Sequence, residues 1–196
     1  MPDTHTPHAG DDRAADTDVV ALLIRQHGDI RNLFDEVEQS SGEERRDAFR
    51  RLVRLLAVHE TAEEEVVHPW ARRSTPGGEG VVEDRLAEEK EAKEILSALD
   101  EMDIDDQRFL PQLRRLRTAV QQHARAEERY EFTHIRRNAD ADALAAMARA
   151  VKAAEAIAPT RPHPGVESAG ANVALGPVAA LMDRAKDAAR KAMGKG

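Results

Sequence analysis

Six residues of this 196-residue chain have the types and spacing to hold metal ions: His27, His59, Glu63, Glu89, His123 and Glu127. Four of them form two His-x-x-x-Glu pairs, His59 with Glu63 and His123 with Glu127. Side chains four apart stack on one helix face, so each pair offers a nitrogen and an oxygen to the same point. Cysteine is absent, which excludes disulfides, thiolate zinc sites, iron–sulfur clusters and cysteine nucleophiles. Any metal must therefore be held by His, Asp or Glu.

The elements that position these residues are helices. Ala, Leu, Arg and Glu dominate, and aromatic residues make up only 3%. Helix A is predicted from about Asp18 to Gln39, stopping at Ser40-Ser41-Gly42, and helix B from Glu43 to Arg73, ended by Ser74-Thr75-Pro76-Gly77-Gly78. Helix C covers roughly Glu79–Glu101. Helix D starts near Asp106, tolerates Pro111 close to its first turn, and reaches about Arg137. A fifth, Ala-rich helix spans about Asp140–Ala158.

Steps of three and four give each helix one inward stripe. These are Val20, Leu23, His27, Ile30, Phe34, Val37 on A; Phe49, Leu52, Leu56, His59, Glu63, Val66, Trp70 on B; Val82, Leu86, Glu89, Ala92, Leu96, Leu99 on C; and Phe109, Leu113, Leu116, Val120, His123, Glu127, Tyr130, His134 on D. His27 and His59 lie sixteen positions either side of the turn near residue 43, and Glu63 and Glu89 thirteen either side of the turn near 76. Glu89 and His123 lie sixteen and eighteen positions from the turn near 105. At about 1.5 Å per residue, all six fall in one layer of an up-down-up-down four-helix bundle.

Each buried polar group without a partner costs several kcal/mol, so six would rival the stability of a whole domain. Bound cations remove that cost. One cation cannot use six ligands and leave a position open, whereas two ions about 3.5–4 Å apart share bridging carboxylates and take histidines as terminal ligands.

Other residues have plainer readings. Glu60 points about 100° from His59 and reads as surface, with a ligand role as the alternative. His68, nine residues past His59, reads as a helix-end histidine on the dipole, far from the metal layer. His134 reads as core or capping, and Trp70 as core at the bundle end. Tyr130 either hydrogen-bonds a bound oxygen species or carboxylate, or simply packs. His5 and His8 read as solvated tail.

The predicted organisation is a disordered arm (1–16), the bundle domain (17–158), a Pro/Gly-punctuated linker (159–177) and a C-terminal amphipathic helix and tail (178–196). Residues 159–196 carry six Lys or Arg against three Asp or Glu. The helix there docks or is tethered, with a protein partner or a membrane surface as the other readings. The formal charge of -8 argues against a phosphate-binding surface, so no nucleic-acid partner is expected. The acidic N-terminus lacks the apolar stretch of a secretory signal, and no run approaches the length of a membrane span, making the cytoplasm the default location.

The stretches QHGDIRNLF (His27), VHETAEEEVVHP (His59, Glu63) and QHARAEERYEF (His123, Glu127) resemble the HHE cation-binding domain of hemerythrin-like proteins, over roughly residues 18–137. The Ala-rich helix and APTRPHP linker look like a bacterial extension of it. The resemblance implies a four-helix bundle with an oxo- or hydroxo-bridged non-haem di-iron site. His27, His59 and His123 would be terminal ligands, and Glu63 and Glu127 bridges. Members bind or process dioxygen, peroxide or nitric oxide, or sense iron and oxygen. Two functions follow as expectations: di-iron chemistry of catalase-like or oxidase-like type, or a non-catalytic sensor or iron buffer. Family members usually carry a His on the third helix where this chain has Glu89, in EEKEAKEIL. A Glu ligand would favour oxidised metals or manganese and oppose reversible oxygen carriage. The alternative is a lost ligand and a weaker or one-metal site.

Overall fold

The computed structural model describes residues 17–74 and 77–157. The predicted N-terminal arm, linker and C-terminal helix lie outside the described residues. Helix α1 (Val19–Gln39) starts where Asp18, in extended conformation, accepts the backbone N–H groups of Val20 (2.8 Å) and Ala21 (3.2 Å), satisfying two orphan donors of the first turn. It ends at Ser40, and α2 (Gly42–Ala62) begins directly after the extended Ser41.

The second rod continues without a break from α2 through a π-helical turn, π1 (Glu63–Val67), into α3 (His68–Ser74). Gly77 (φ 72°) supplies the left-handed residue before α4 (Gly78–Asp100). The fourth rod is α5 (Phe109–Ala126), a second π turn, π2 (Glu127–Phe132), and α6 (Thr133–Asn138). Pro111 falls in its first turn, where the missing N–H costs nothing. α7 (Ala141–Ile157) packs on α1 and α2.

The all-α, up-down-up-down architecture is the expected one, with helix ends shifted by a few residues at most. No strand occurs among the described residues, and none of their helices is long and apolar enough to cross a membrane.

Two apolar slabs fill the bundle. One gathers Ile30, Phe34, Phe49, Leu52, Leu56, Leu96, Leu113, Leu116 and their neighbours, with Phe49 edge-on to Phe109 at 5.1 Å. The other joins Val19, Leu22, Leu23, Val58, Val66, Phe132 and Ile135 to Met147, Ala148 and Val151 of α7. The His and Glu residues lie along the rods between the positions that build these slabs.

Candidate metal centre

Three rods contribute imidazoles, and each ring is fixed at one nitrogen. His27 Nδ1 donates to Glu128 (2.8 Å), His59 Nδ1 to the Gln26 carbonyl oxygen (2.7 Å), and His123 Nδ1 to Glu88 (3.1 Å). A carboxylate or amide oxygen only accepts, so the proton belongs on Nδ1 and Nε2 is left for the interior. His27 Nε2 lies 3.4 Å from Glu127 and 4.0 Å from Glu63. His123 Nε2 lies 3.3 Å from Glu127 and 3.8 Å from Glu63, and His59 Nε2 lies 3.1 Å from Glu63. Glu63 and Glu127 thus each face histidines from two or more rods.

Burial sharpens this geometry. Both oxygens of Glu63, both of Glu127, and Nε2 of His27 and of His123 are buried with no hydrogen-bond partner. Orphans of this kind cost about 1–3 kcal/mol each, more when charged. Donor atoms of His27, His59, Glu63 and Glu127 fall within 4.8 Å of one another, as do those of Glu63, Glu89 and His123. This set of nitrogen and oxygen donors could hold metal ions. All six residues of the predicted layer are brought together.

The electrostatics agree. Burial opposes charge on His27 and His123, but Glu127, Glu63 and the carboxylates on their outer nitrogens raise both pKa values. Burial likewise opposes ionisation of Glu63, yet His59 and His123 hold it well below the usual carboxylate range.

Both π turns begin at the glutamate of a His-x-x-x-Glu pair. π turns concentrate at functional sites, and their i→i+5 hydrogen bond stacks residue i+5 over residue i. Here the His68 N–H donates to the Glu63 carbonyl, which corrects the reading of His68 as a remote helix-end residue. Nine residues on an α-helix end on the opposite face, but the π turn returns His68 beneath Glu63. It is 2% exposed and clamped between Glu89 (Nε2 to Oε1, 2.7 Å) and Glu131 (Nδ1 to Oε2, 3.1 Å). Against the cost of burial, the two carboxylates push its pKa up to about 10.

Tyr130 is corrected for the same reason. It is 53% exposed and lies beside Arg129, while Glu131, Phe132 and Ile135 take the interior positions, Phe132 stacking on His27 at 5.6 Å. His134 and Trp70 are only partly buried.

Glu60 is a further correction. It is buried, not surface, and burial raises its pKa to about 8 against the pull of Lys93, 3.7 Å away. Lys93 also pairs with Glu64 and lies 3.4 Å from Glu89. Arg85 is buried where Leu86 was expected, and reaches Glu88 at 2.9 Å. Gln26, Glu88 and Glu128 went unread because each orients a histidine of another rod; their one sequence signal is adjacency to His27, Glu89 and Glu127.

A cavity of about 380 Å³ opens onto the imidazole edges of His27, His59 and His123, with Glu60 and Glu89 on its wall. Ile30, Leu56, Ala92 and Val120 line its apolar side.

Among known families, the hemerythrin HHE cation binding domain matches residues 18–135. No curated protein and no solved structure matches the chain. With the match covering more than half its length, the chain belongs to the hemerythrin HHE cation-binding domain family.

Proposed function

We propose that the chain holds two iron ions and reacts there with dioxygen, peroxide or nitric oxide. In this reading His27, His59 and His123 are terminal ligands, Glu63 and Glu127 bridge, and Glu89 adds a carboxylate beside His123. The observation that carries it is the set of six buried atoms on Glu63, Glu127, His27 and His123, orphaned and facing one another. Iron is favoured by the family, and manganese also suits a shell this rich in oxygen.

When bound, the metal pair supplies electron transfer to and from small oxygen or nitrogen species. The chain's own residues do the rest. Glu128, Gln26 and Glu88 fix the three imidazoles, the usual device for orienting a ligand and raising its basicity. Ile30, Leu56, Ala92 and Val120 make one side of the cavity beside the imidazoles apolar. Glu60, buried beside Lys93 on the cavity wall, is placed to exchange a proton with whatever occupies the cavity.

Metal content and the absorption spectrum of the full chain test this reading. About two irons per chain with visible charge-transfer bands are expected, and a chain isolated from iron-supplemented medium with neither metal nor bands would refute it. Peroxide consumption well above that of free iron supports an enzyme. A reversible oxygen adduct without turnover assigns the non-catalytic sensor instead. Glu89→His is expected to move both the spectrum and the reduction potential; if neither moves, Glu89 is not a ligand.

A further inference from the structure

The cluster around His68 is not absorbed by the two-metal layer. His68 comes from α3, Glu131 from π2, and Glu127 is shared with the layer above. One donor atom from each of His68, Glu127 and Glu131 falls within 4.8 Å of the others. All three side chains are at most 2% exposed. Glu131 Oε1 is buried with no hydrogen-bond partner, an acceptor that the two-metal layer leaves unused, and the Glu127 oxygens beside the cluster are likewise unpaired.

We infer that His68, Glu131 and Glu127 form a third cation site, for a divalent transition metal, adjoining the two-metal centre. Metal–donor bonds of about 2.0–2.2 Å set donor atoms roughly 3–4 Å apart, so the observed spacing closes by small side-chain rotations. His68 Nδ1 is the ligating nitrogen, because it faces Glu131 at 3.1 Å. Its Nε2 keeps its bond to Glu89 at 2.7 Å, an arrangement of carboxylate, imidazole and metal like that proposed for His27 and His123 in the layer above.

The imidazole selects transition metals over calcium and magnesium, which prefer oxygen ligands alone. Three protein donors leave the remaining positions to water, as in open metal sites. Because Glu127 belongs to both groups, an ion held here is one carboxylate away from the pair. The site is therefore a third holding position for iron, coupled to the centre through Glu127. It rests on the two-metal reading for the shared role of Glu127 alone.

The test is an anaerobic calorimetric titration of the metal-stripped full chain with ferrous iron. Saturation at three equivalents is expected, the third weaker than the first two. Glu131→Gln is expected to saturate at two, with the absorption of the loaded pair unchanged, and His68→Gln to lose the third equivalent as well. Wild-type saturation at two overturns the third site and leaves the two-metal reading standing, whereas saturation at zero sinks both. Should either variant fail to fold, crystals of the wild type soaked in ferrous iron decide the matter. An anomalous peak at coordination distance from Glu131 is expected, and its absence beside two occupied positions overturns the proposal.

Discussion

Each imidazole of the layer is anchored through Nδ1, so its strength as a proposed ligand depends on a residue that need not touch metal. Glu88 illustrates this. It accepts from His123 Nδ1 at 3.1 Å while Arg85 holds its other oxygen at 2.9 Å. Replacing the carboxylate by an amide weakens the acceptor and leaves the Arg85 charge uncompensated. Losing such an outer partner typically costs 10–100-fold in metal affinity. Glu88→Gln is expected to weaken metal binding by about that range with helix content unchanged, as read by competition against a chelator of known affinity. Equal affinity would show that Glu88 packs against His123 without tuning it. Gln26 plays the matching part for His59, with a neutral acceptor, so Gln26→Leu removes that acceptor outright and leaves the buried His59 N–H without it.

At the scale of elements, the helix junctions are tight. A Cβ built on Gly78 would stand 2.5 Å from the Ala71 carbonyl oxygen, a backbone atom that moves only with α3. Overpacking of this kind costs about 1–3 kcal/mol. Gly78→Ala is therefore expected to lower the melting temperature by several degrees, since 1 kcal/mol is worth roughly 2–4 °C at this chain length. An unchanged melt would mean that α3 and α4 part easily.

The same scale explains how far the sequence could be read. Asp18, the Ser40-Ser41-Gly42 break and Gly77-Gly78 punctuate the helices, so their ends were legible to within a few residues. The convergence of His27, His59, Glu63, Glu89, His123 and Glu127 was legible because everything up to Glu63 and Glu127 obeys the 3.6-residue period. Beyond those glutamates the period changes, and residue types do not announce a π turn. Hence a 3.6-residue period leaves His68 and Glu131 off the inward stripe and turns Tyr130 inward. Glu60 failed for another reason: its angle from His59 was sound, but α4 with Lys93 covers that face too.

For the whole molecule, the buried charge makes the metal-free chain sensitive to pH. The folded pKa of His68 is raised from 6.5 to about 10, so its contribution is complete below pH 6.5 and is lost as pH climbs through 10. Glu60, raised from 4.5 to about 8, binds an extra proton in the folded state, and stability falls as that proton leaves between those values. Glu63, held well below 4.5, works in the opposite sense and fails only in acid. The stripped chain should therefore be most stable in mild acid and lose roughly several kcal/mol by pH 10. Metal ligands must be deprotonated, so binding strengthens with pH. Melts with and without bound metal at pH 6, 8 and 9.5 should diverge as pH rises; parallel curves would refute the account.

The cavity touches His27, His59 and His123, while Glu63, Glu127 and Glu131 lie off its wall. If the proposed ions exchange through this cavity, they pass the imidazoles together with Glu60 and Glu89 before they reach Glu63 and Glu127. Removal of bound ions then becomes a question of molecular size. Slender chelators should extract them quickly, and bulky ones only as fast as the rods breathe apart.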